Sequence, residues 1–324
     1  MNNAISNGPF KDIIPLYINY KQSQGYKYEA GAYQLKRMDD FFEKCGYKKL
    51  ELTEEMVHNY CKRKTESESS DSIYRRQELM KKFAIFLKDC GYKNVYVYNY
   101  DYIKVTSDFS QYIYSTNEIK NIFNYIDNND VRNDLNMKDG NFNRNIRIII
   151  RLLYCCGLRR NEALYLKLND ININDGLITI KDSKNYCSRV IPVSNTLNDI
   201  LKKHIENLKL SDNDFIFKKS NNKVYDKHFS EKFKLILKKL NIYTEKGNNP
   251  RLHDLRFTFA VKALEKLQEE GQDLYCTLPI LSVYMGHKNI KSTEYYLKYT
   301  KSTRDNINNK MKEFNSNIFI KAGN

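Results

Sequence analysis

The sequence predicts a mainly α-helical protein with one small antiparallel β-sheet, arranged as a helical N-terminal domain followed by a mixed α/β domain. Two patterns support this expectation. Apolar residues recur at helical spacing over most of the chain, whereas the stretch 170–194 alternates and turns like a short meander. At 324 residues the chain also exceeds one average domain, so two domains are expected.

The N-terminal domain is predicted as four helices separated by short breaks. In the last of them, Leu79, Phe83 and Phe86 fall on one apolar stripe. The predicted helices span 10–24, 28–45, 54–64 and 71–90. We therefore expect a helical domain over 8–92, followed by an extended linker over 93–113 that has no helical period.

The second domain is expected over 114–300. Ser115, followed three residues later by Glu118, predicts a capping box that opens a helix to about 127. The further predicted helices lie at 143–156, 195–208, 226–241, 254–269 and beyond 289. The remaining tail, 301–324, ends in an apolar cluster that either folds back on its own domain or is exchanged between protomers.

Charge and cysteine content narrow the functional class. The chain carries 54 Lys and Arg against 39 Asp and Glu, a net charge of +15, of which residues 111–324 hold +12 and residues 1–110 hold +3. Such an excess favours a polyanionic partner, although a basic surface kept for solubility is the plain alternative. We find no apolar run of the roughly 18 residues that a membrane span requires, and no secretory signal. The seven cysteines lack CxxC spacing and are predicted to be buried thiols of a cytoplasmic protein.

Five short segments place reactive or cationic side chains next to apolar helices. Each has an ordinary interpretation when it is taken alone: a surface arginine, a solvated lysine in a hairpin turn, a packed tyrosine. The candidates are Arg159 in "CGLRRNEALYL", Lys184 in "SKNYCSRVIPV", His253 and Arg256 in "RLHDLRFTFA", His287 in "YMGHKN", and Tyr296 in "STEYYLKY".

Taken together and in this order, the segments resemble the tyrosine recombinase (phage integrase) family. The family pattern is G-L-R-x-x-E, a turn lysine five residues before R-x-[VI]-P, H-x-L-R, G-H, and a tyrosine nine residues after that histidine. This chain matches it with Gly157-Leu158-Arg159 and Glu162, Lys184 before Arg189-Val190-Ile191-Pro192, His253-Asp254-Leu255-Arg256, Gly286-His287, and Tyr296. The resemblance covers about 115 to 300 by motif. The helical domain over 8–92 resembles the family's core-binding domain by shape only, which implies that it binds DNA.

Two details refine the resemblance. Phe257 departs from the pattern, because the family very often has a second histidine directly after the arginine. The stretch "EEGQDLYCTLPILSVYMGH" is similar to the transposon-borne branch of the family.

The resemblance implies a phosphoryl-transfer site that needs no metal and no cofactor. Arg159 and Arg256 would clamp the non-bridging oxygens of a phosphodiester, using the paired donors that arginine offers and lysine does not. Tyr296 would attack and form a 3′-phosphotyrosine, which stores the bond energy for rejoining. Tyr295 and Tyr299 lie four residues apart on one helical face, which suits packing instead.

Three further residues are expected to assist. His253 is the implied general base, since a phenol with a pKa near 10 needs one. Lys184 is the implied general acid for the departing 5′-oxygen, and His287 the implied hydrogen-bond donor to a non-bridging oxygen.

The expected protein is therefore a site-specific DNA recombinase of the prokaryotic cytoplasm and nucleoid. It would act on double-stranded DNA, as a tetramer on two sites, to integrate, excise or transpose a mobile element. The two domains would grip opposite sides of the duplex. Alternatives that the sequence leaves open are a chromosomal resolvase or DNA invertase of the same chemistry, a type IB topoisomerase-like enzyme, and an inactive DNA-binding accessory protein.

Overall fold

A computed structural model describes residues 6–62, 64–66, 68–99, 111–181, 188–208, 210–225 and 228–300, and the statements below concern these residues. The chain divides into two compact units, 1–110 and 111–324. No helix of the described ranges is long and apolar enough to cross a membrane.

The first unit consists of the four predicted helices, and the structure confirms all four. They are α1 (Ile13–Ser23), α2 (Glu29–Lys44), α3 (Glu54–Cys61) and α4 (Ser70–Asp89). Hydroxyl caps set two of the starts, since Thr53 accepts from the amide of Met56 and Ser69 accepts from that of Ser72.

Aromatic side chains fill the core of this unit. Phe83 of α4 lies edge-on to both Phe10 and Tyr17, with ring centroids 5.4 and 5.3 Å apart. The chain beyond α4 also joins this core, because Tyr96 donates its amide to the carbonyl of Leu52 at 2.7 Å, beside the buried Val95. The first residues of the predicted linker thus pack on the N-terminal helices, while 100–110 lie outside the described residues.

The second unit contains nine α-helices and a three-stranded sheet in its described part. The helices are α5 (Thr116–Asn128), α6 (Val131–Asp134), α7 (Phe142–Cys155), α8 (Arg160–Leu164), α9 (Asn195–Glu206), α10 (His228–Lys239), α11 (His253–Glu269), α12 (Leu274–Met285) and α13 (Lys291–Leu297). The capping box of Ser115 and Glu118 is confirmed at the start of α5. The strands β1 (Ile171–Asn172), β2 (Leu177–Ile180) and β3 (Arg189–Pro192) form the expected antiparallel sheet, in which Ile178 faces Ile191.

The buried helix α7 organises the second unit. Ile146, Ile149 and Leu152 are inaccessible, and α7 packs against α11, which carries the H-x-L-R segment. At the end of α7 the chain reverses at Gly157, whose φ of 59° lies in the left-handed region. A Cβ there would also meet the ring of Phe259 at 2.4 Å, so this turn requires glycine.

Sequence reasoning missed the short helices α6 and α8 and the longer α12. In α12 the solvent face is apolar as well, with Tyr275, Ile280 and Val283 exposed by 79, 70 and 72%. Because neither face is polar, no helical period appears, and Pro279 stands inside the helix.

The prediction of buried thiols is wrong for most of the described cysteines. All six are free, and only Cys61 and Cys156 are buried. Cys45 and Cys90 are exposed because each occupies the C-cap of a helix, where the chain turns outward. Cys187 lies outside the described residues.

Candidate active site

The structure brings five of the six predicted site residues together in the second unit. Arg159 caps α8, His253 and Arg256 occupy the first turn of α11, His287 follows α12, and Tyr296 lies on α13. Lys184, between β2 and β3, lies outside the described residues.

The carboxylate of Glu162 is the centre of this cluster. Its Oε1 accepts from Nη1 of Arg159 at 2.7 Å and from Nη1 of Arg189 at 3.1 Å. Its Oε2 accepts from Nη2 of Arg189 at 2.6 Å and from the backbone amide of Arg159 at 2.8 Å. Burial opposes ionisation of Glu162, but these donors prevail and hold its pKa at about 2. The carboxylate is therefore charged at any physiological pH.

Arg256 is the most deeply buried cation of the site, with 2% of its side chain exposed. It donates from Nη1 to the carbonyl of Gly157 and from Nη2 to that of Met285, both at 2.5 Å. Its Nη1 lies 3.9 Å from Oε2 of Glu162. Burial, together with the charge of Arg159, lowers its pKa to about 10, so Arg256 still carries its proton at neutral pH.

The site holds more positive than negative charge. Three guanidiniums, those of Arg159, Arg189 and Arg256, surround the single carboxylate of Glu162. A buried cation without a counterion is unfavourable unless an anion arrives, so this cluster is suited to bind one. A planar guanidinium can meet two oxygens of a tetrahedral phosphate at once.

Both site histidines are neutral at physiological pH. Desolvation comes first among the causes, followed by the charge of Arg256, and together these lower the pKa of His253 and of His287 to about 4. His253 is nevertheless accessible from solvent at the start of α11, so it is a neutral, reachable proton acceptor. In the described ranges, no group of three or more His, Cys, Asp or Glu side chains is arranged to hold a metal ion.

Tyr296 is packed between two rings and is 6% exposed. Its ring lies 5.0 Å from that of Phe257 and stacks on His287 at 5.9 Å with an interplanar angle of 20°. Burial raises its pKa, and the charge of Arg256 opposes that rise. The neighbouring tyrosines pair with each other instead, with the hydroxyls of Tyr295 and Tyr299 2.9 Å apart. Phe257, the departure from the family pattern, is thus an apolar wall beside Tyr296.

Arg189 and Gly286 belong to the motifs of the sequence, but the sequence alone did not indicate what they do in the site. Arg189 is half of the bidentate pair with Glu162, and its Nε donates to the carbonyl of Tyr284 at 2.8 Å. Gly286 has a φ of 64°, and a Cβ there would lie 2.8 Å from Nη1 of Arg189. Its carbonyl accepts from Nη2 of Arg159 at 2.6 Å. The sequence signals for these two residues were the arginine that opens the R-x-[VI]-P segment and the glycine directly before His287.

Comparison with known protein families supports the resemblance to phage integrases. The model of the phage integrase family matches residues 114–303, more than half of the chain. The chain belongs to the phage integrase family. Its matched region contains every described site residue, from Arg159 to Tyr296.

Two curated relatives of this integrase-family chain are tyrosine recombinases named XerA. The protein from Pyrococcus horikoshii is 33% identical over 158 residues, which cover 48% of this chain and 50% of that protein. The protein from Thermococcus kodakarensis is 30% identical over 155 residues, covering 48% and 51%. The chain thus spans about half the length of the curated relatives it matches.

Solved structures extend the similarity of fold to both units. The Tn1549 transposon integrase in complex with transposon right end DNA aligns with a TM-score of 0.62 at 18% identity, covering 93% of this chain and 98% of that one. The XerH site-specific recombinase bound to difH substrate aligns with a TM-score of 0.59 at 18% identity, covering 82% and 75%.

The contact between Gly286 and the arginines predicts an unusually costly substitution. Gly286→Ala places a side chain at positive φ, which should lower the free energy of unfolding by about 1–2 kcal/mol. The new Cβ also displaces Arg189, which should lower it by roughly 1–3 kcal/mol more. Gly271→Ala is the matched control, because Gly271 has a φ of 76° with nothing within 4 Å of a new Cβ. Urea unfolding of both variants measures the difference. Equal losses in the free energy of unfolding would contradict the contact.

The arginine cluster also predicts how the histidines titrate. An anion bound among the arginines stabilises imidazolium, so added inorganic phosphate should raise the pKa of His253 and His287 above about 4. Without phosphate, stability should fall as pH drops from the ordinary histidine range toward 4, because the unfolded chain takes up those protons first. Histidine proton resonances measured by NMR against pH report both values. His204, whose pKa is lowered mainly by burial, is the control that phosphate should not move.

Proposed function

We propose that this chain is a site-specific DNA recombinase that cleaves and rejoins DNA through a 3′-phosphotyrosine. The observation that carries the proposal is the position of Tyr296, stacked on His287 beside a cluster of arginines with excess positive charge. Attack on a phosphodiester builds negative charge on its non-bridging oxygens, and donors fixed in advance around that charge are typically the largest catalytic contribution.

Residues of this chain can supply every bond change and proton transfer of the proposed cleavage step. The hydroxyl oxygen of Tyr296 forms a bond to phosphorus and gives its proton to neutral His253, while the bond from phosphorus to the 5′-oxygen breaks. Lys184 protonates the departing 5′-oxygen, and Arg159 and Arg256 hold the non-bridging oxygens. The reverse step, with the 5′-hydroxyl of a second strand, restores the phosphodiester and frees Tyr296. The bond energy is conserved, so no nucleotide triphosphate is consumed.

Double-stranded DNA carrying specific recombination sites is the proposed substrate, and both units are proposed to bind it. The net charge of +12 over 111–324 favours phosphate contacts by the catalytic unit. The four-helix unit, which we propose as the core-binding domain, supplies a second binding surface. Integration, excision or transposition of a mobile element is the proposed role, in keeping with a fold shared with a transposon integrase.

Assembly as a tetramer on two DNA sites is part of the proposal. The apolar stripe on α12, formed by Tyr275, Ile280 and Val283, is exposed by 70% or more at each position and needs a cover. We propose that the tail 301–324 of a neighbouring protomer supplies it through the cluster Ile318-Phe319-Ile320. A cyclic exchange of tails would close the assembly.

The nucleophile is tested by trapping. A nicked site should accumulate a covalent adduct with the wild-type chain in EDTA, since no metal takes part in the proposed step. Tyr296→Phe should bind DNA with unchanged affinity and form no adduct, whereas the matched control Tyr295→Phe should still form it. Denaturing gel electrophoresis of labelled DNA detects the adduct. An adduct that survives Tyr296→Phe would rule out this nucleophile.

The DNA contact is tested by salt. Phosphate contacts release condensed counterions, so affinity should fall by about a thousandfold or more between roughly 50 and 200 mM salt. Fluorescence anisotropy of a labelled duplex measures the slope, and Tyr296→Phe should share it because the change removes no charge. A flat response would speak against a duplex gripped through its phosphates.

The assembly is tested by removing residues 312–324. Binding to one half-site should remain within about twofold, while cooperative occupancy of the full site and recombination should be lost. Gel-shift titrations of half and full sites separate the two. The triple change Tyr275→Ser, Ile280→Ser and Val283→Ser should reproduce the defect from the other side of the contact. If truncation instead abolishes half-site binding, the tail belongs to its own domain.

A further inference from the structure

Thr293 is a buried polar residue in the site that none of the motifs singles out. It lies on α13, one turn before Tyr296, and is inaccessible to solvent. Its hydroxyl oxygen lies 2.8 Å from Nδ1 of His287. On the other side of the same ring, Nε2 lies 3.3 Å from Nη2 of Arg256.

These two partners together determine where the imidazole proton sits. A guanidinium can only donate, so Nε2 of His287 must be the acceptor in the contact with Arg256. A neutral imidazole has one donor and one acceptor nitrogen, so the proton is on Nδ1. Nδ1 therefore donates a hydrogen bond to the hydroxyl oxygen of Thr293, since a threonine hydroxyl can act as an acceptor.

We propose that Thr293 is a positioning residue that holds His287 in the Nδ1-protonated form and turns Nε2 toward the arginines. The inference rests on the proposed function, because it assigns Nε2 to the place where a phosphate would enter. With a phosphate among the arginines, a proton taken up at Nε2 makes His287 a donor to a non-bridging oxygen. The bond from Nδ1 to Thr293 remains in both states, so the ring need not turn over.

Helix α13 carries both Thr293 and Tyr296, and both residues contact His287. Thr293 and Tyr296 are three residues apart on α13, and the Tyr296 ring stacks on His287. A shift of His287 thus moves one face of the packing around Tyr296, and Thr293 limits that shift. Thr293 acts only through its neighbours, and no contact with substrate is assigned to it.

Two substitutions separate the hydrogen bond from packing. Thr293→Val keeps the volume and removes the hydroxyl, while Thr293→Ser keeps the hydroxyl and removes a methyl group. The matched control is Thr277→Val, because Thr277 is also buried in this unit but its hydroxyl donates to a carbonyl of its own helix, that of Leu274. Any general cost of deleting a buried threonine hydroxyl appears in both valine variants.

The first measurement is the tautomer of His287, read from long-range ¹⁵N–¹H NMR correlations of the full chain at neutral pH. The wild-type chain and Thr293→Ser should show the proton on Nδ1, and Thr293→Val should lose that uniform signal. A wild-type spectrum with the proton on Nε2 overturns the proposal, whatever the DNA reaction does.

The second measurement is the single-turnover rate of adduct formation on a nicked site at saturating protein. Thr293→Val should be slower by on the order of tenfold, the value of one well-placed hydrogen bond, with DNA affinity unchanged. Thr293→Ser should recover most of the rate, and Thr277→Val should match the wild type. Equal rates for Thr293→Val and Thr277→Val would overturn the positioning role. A wild-type chain that forms no adduct defeats the proposed function instead, and the tautomer still stands as measured.

Discussion

The bidentate pair between Arg189 and Glu162 is the interaction on which the rest of the site depends. Both side chains are nearly inaccessible, and the carboxylate also receives the side chain and the backbone amide of Arg159. The pair therefore joins strand β3 to the start of α8. Loss of Glu162 would leave the buried guanidinium of Arg189 without its carboxylate, which typically costs about 3–5 kcal/mol.

Backbone carbonyls supply the further hydrogen-bond acceptors that Arg159 and Arg256 need beside the single carboxylate of Glu162. Arg159 reaches the carbonyl of Gly286, and Arg256 reaches those of Gly157 and Met285. These acceptors are carbonyls freed at helix ends, where no intrahelical donor remains. These carbonyls accept hydrogen bonds from the guanidiniums but carry no net charge. The donors are therefore satisfied, and the site keeps its excess of positive charge. Desolvation, followed by that excess of positive charge, lowers the pKa of His253 and His287, and the same excess favours the binding of a phosphate.

The sequence predicted the frame of this structure because its signals are local. Helical periodicity located α4 and α7, and the Ser115–Glu118 pair located the start of α5. The sheet followed from alternation between 170 and 194. Helix α12 was missed because its exposed face is apolar, and the exposed cysteines at helix ends were misjudged because their sequence surroundings are apolar.

The sequence predicted which residues form the site but not how their side chains pair with one another. The motifs identified Arg159, His253, Arg256, His287 and Tyr296 as candidates, which the fold places together from helices α8, α11 and α13 and the turn after α12. The pairing of Arg189 with Glu162 and the bond of Thr293 to His287 join residues that lie 27 and 6 positions apart, and no local spacing rule connects such pairs. Lys184 lies outside the described residues, and its role remains a prediction.

The most direct test of this account is a crystal structure of Tyr296→Phe bound to a duplex recombination site. The scissile phosphate is expected to lie among the arginines, with its non-bridging oxygens about 2.7–3.1 Å from guanidinium nitrogens of both Arg159 and Arg256. The ring of residue 296 should face the phosphorus on the side opposite the 5′-oxygen. A phosphate bound away from both arginines, with the ring still packed against Phe257 and turned from the DNA, would contradict the account.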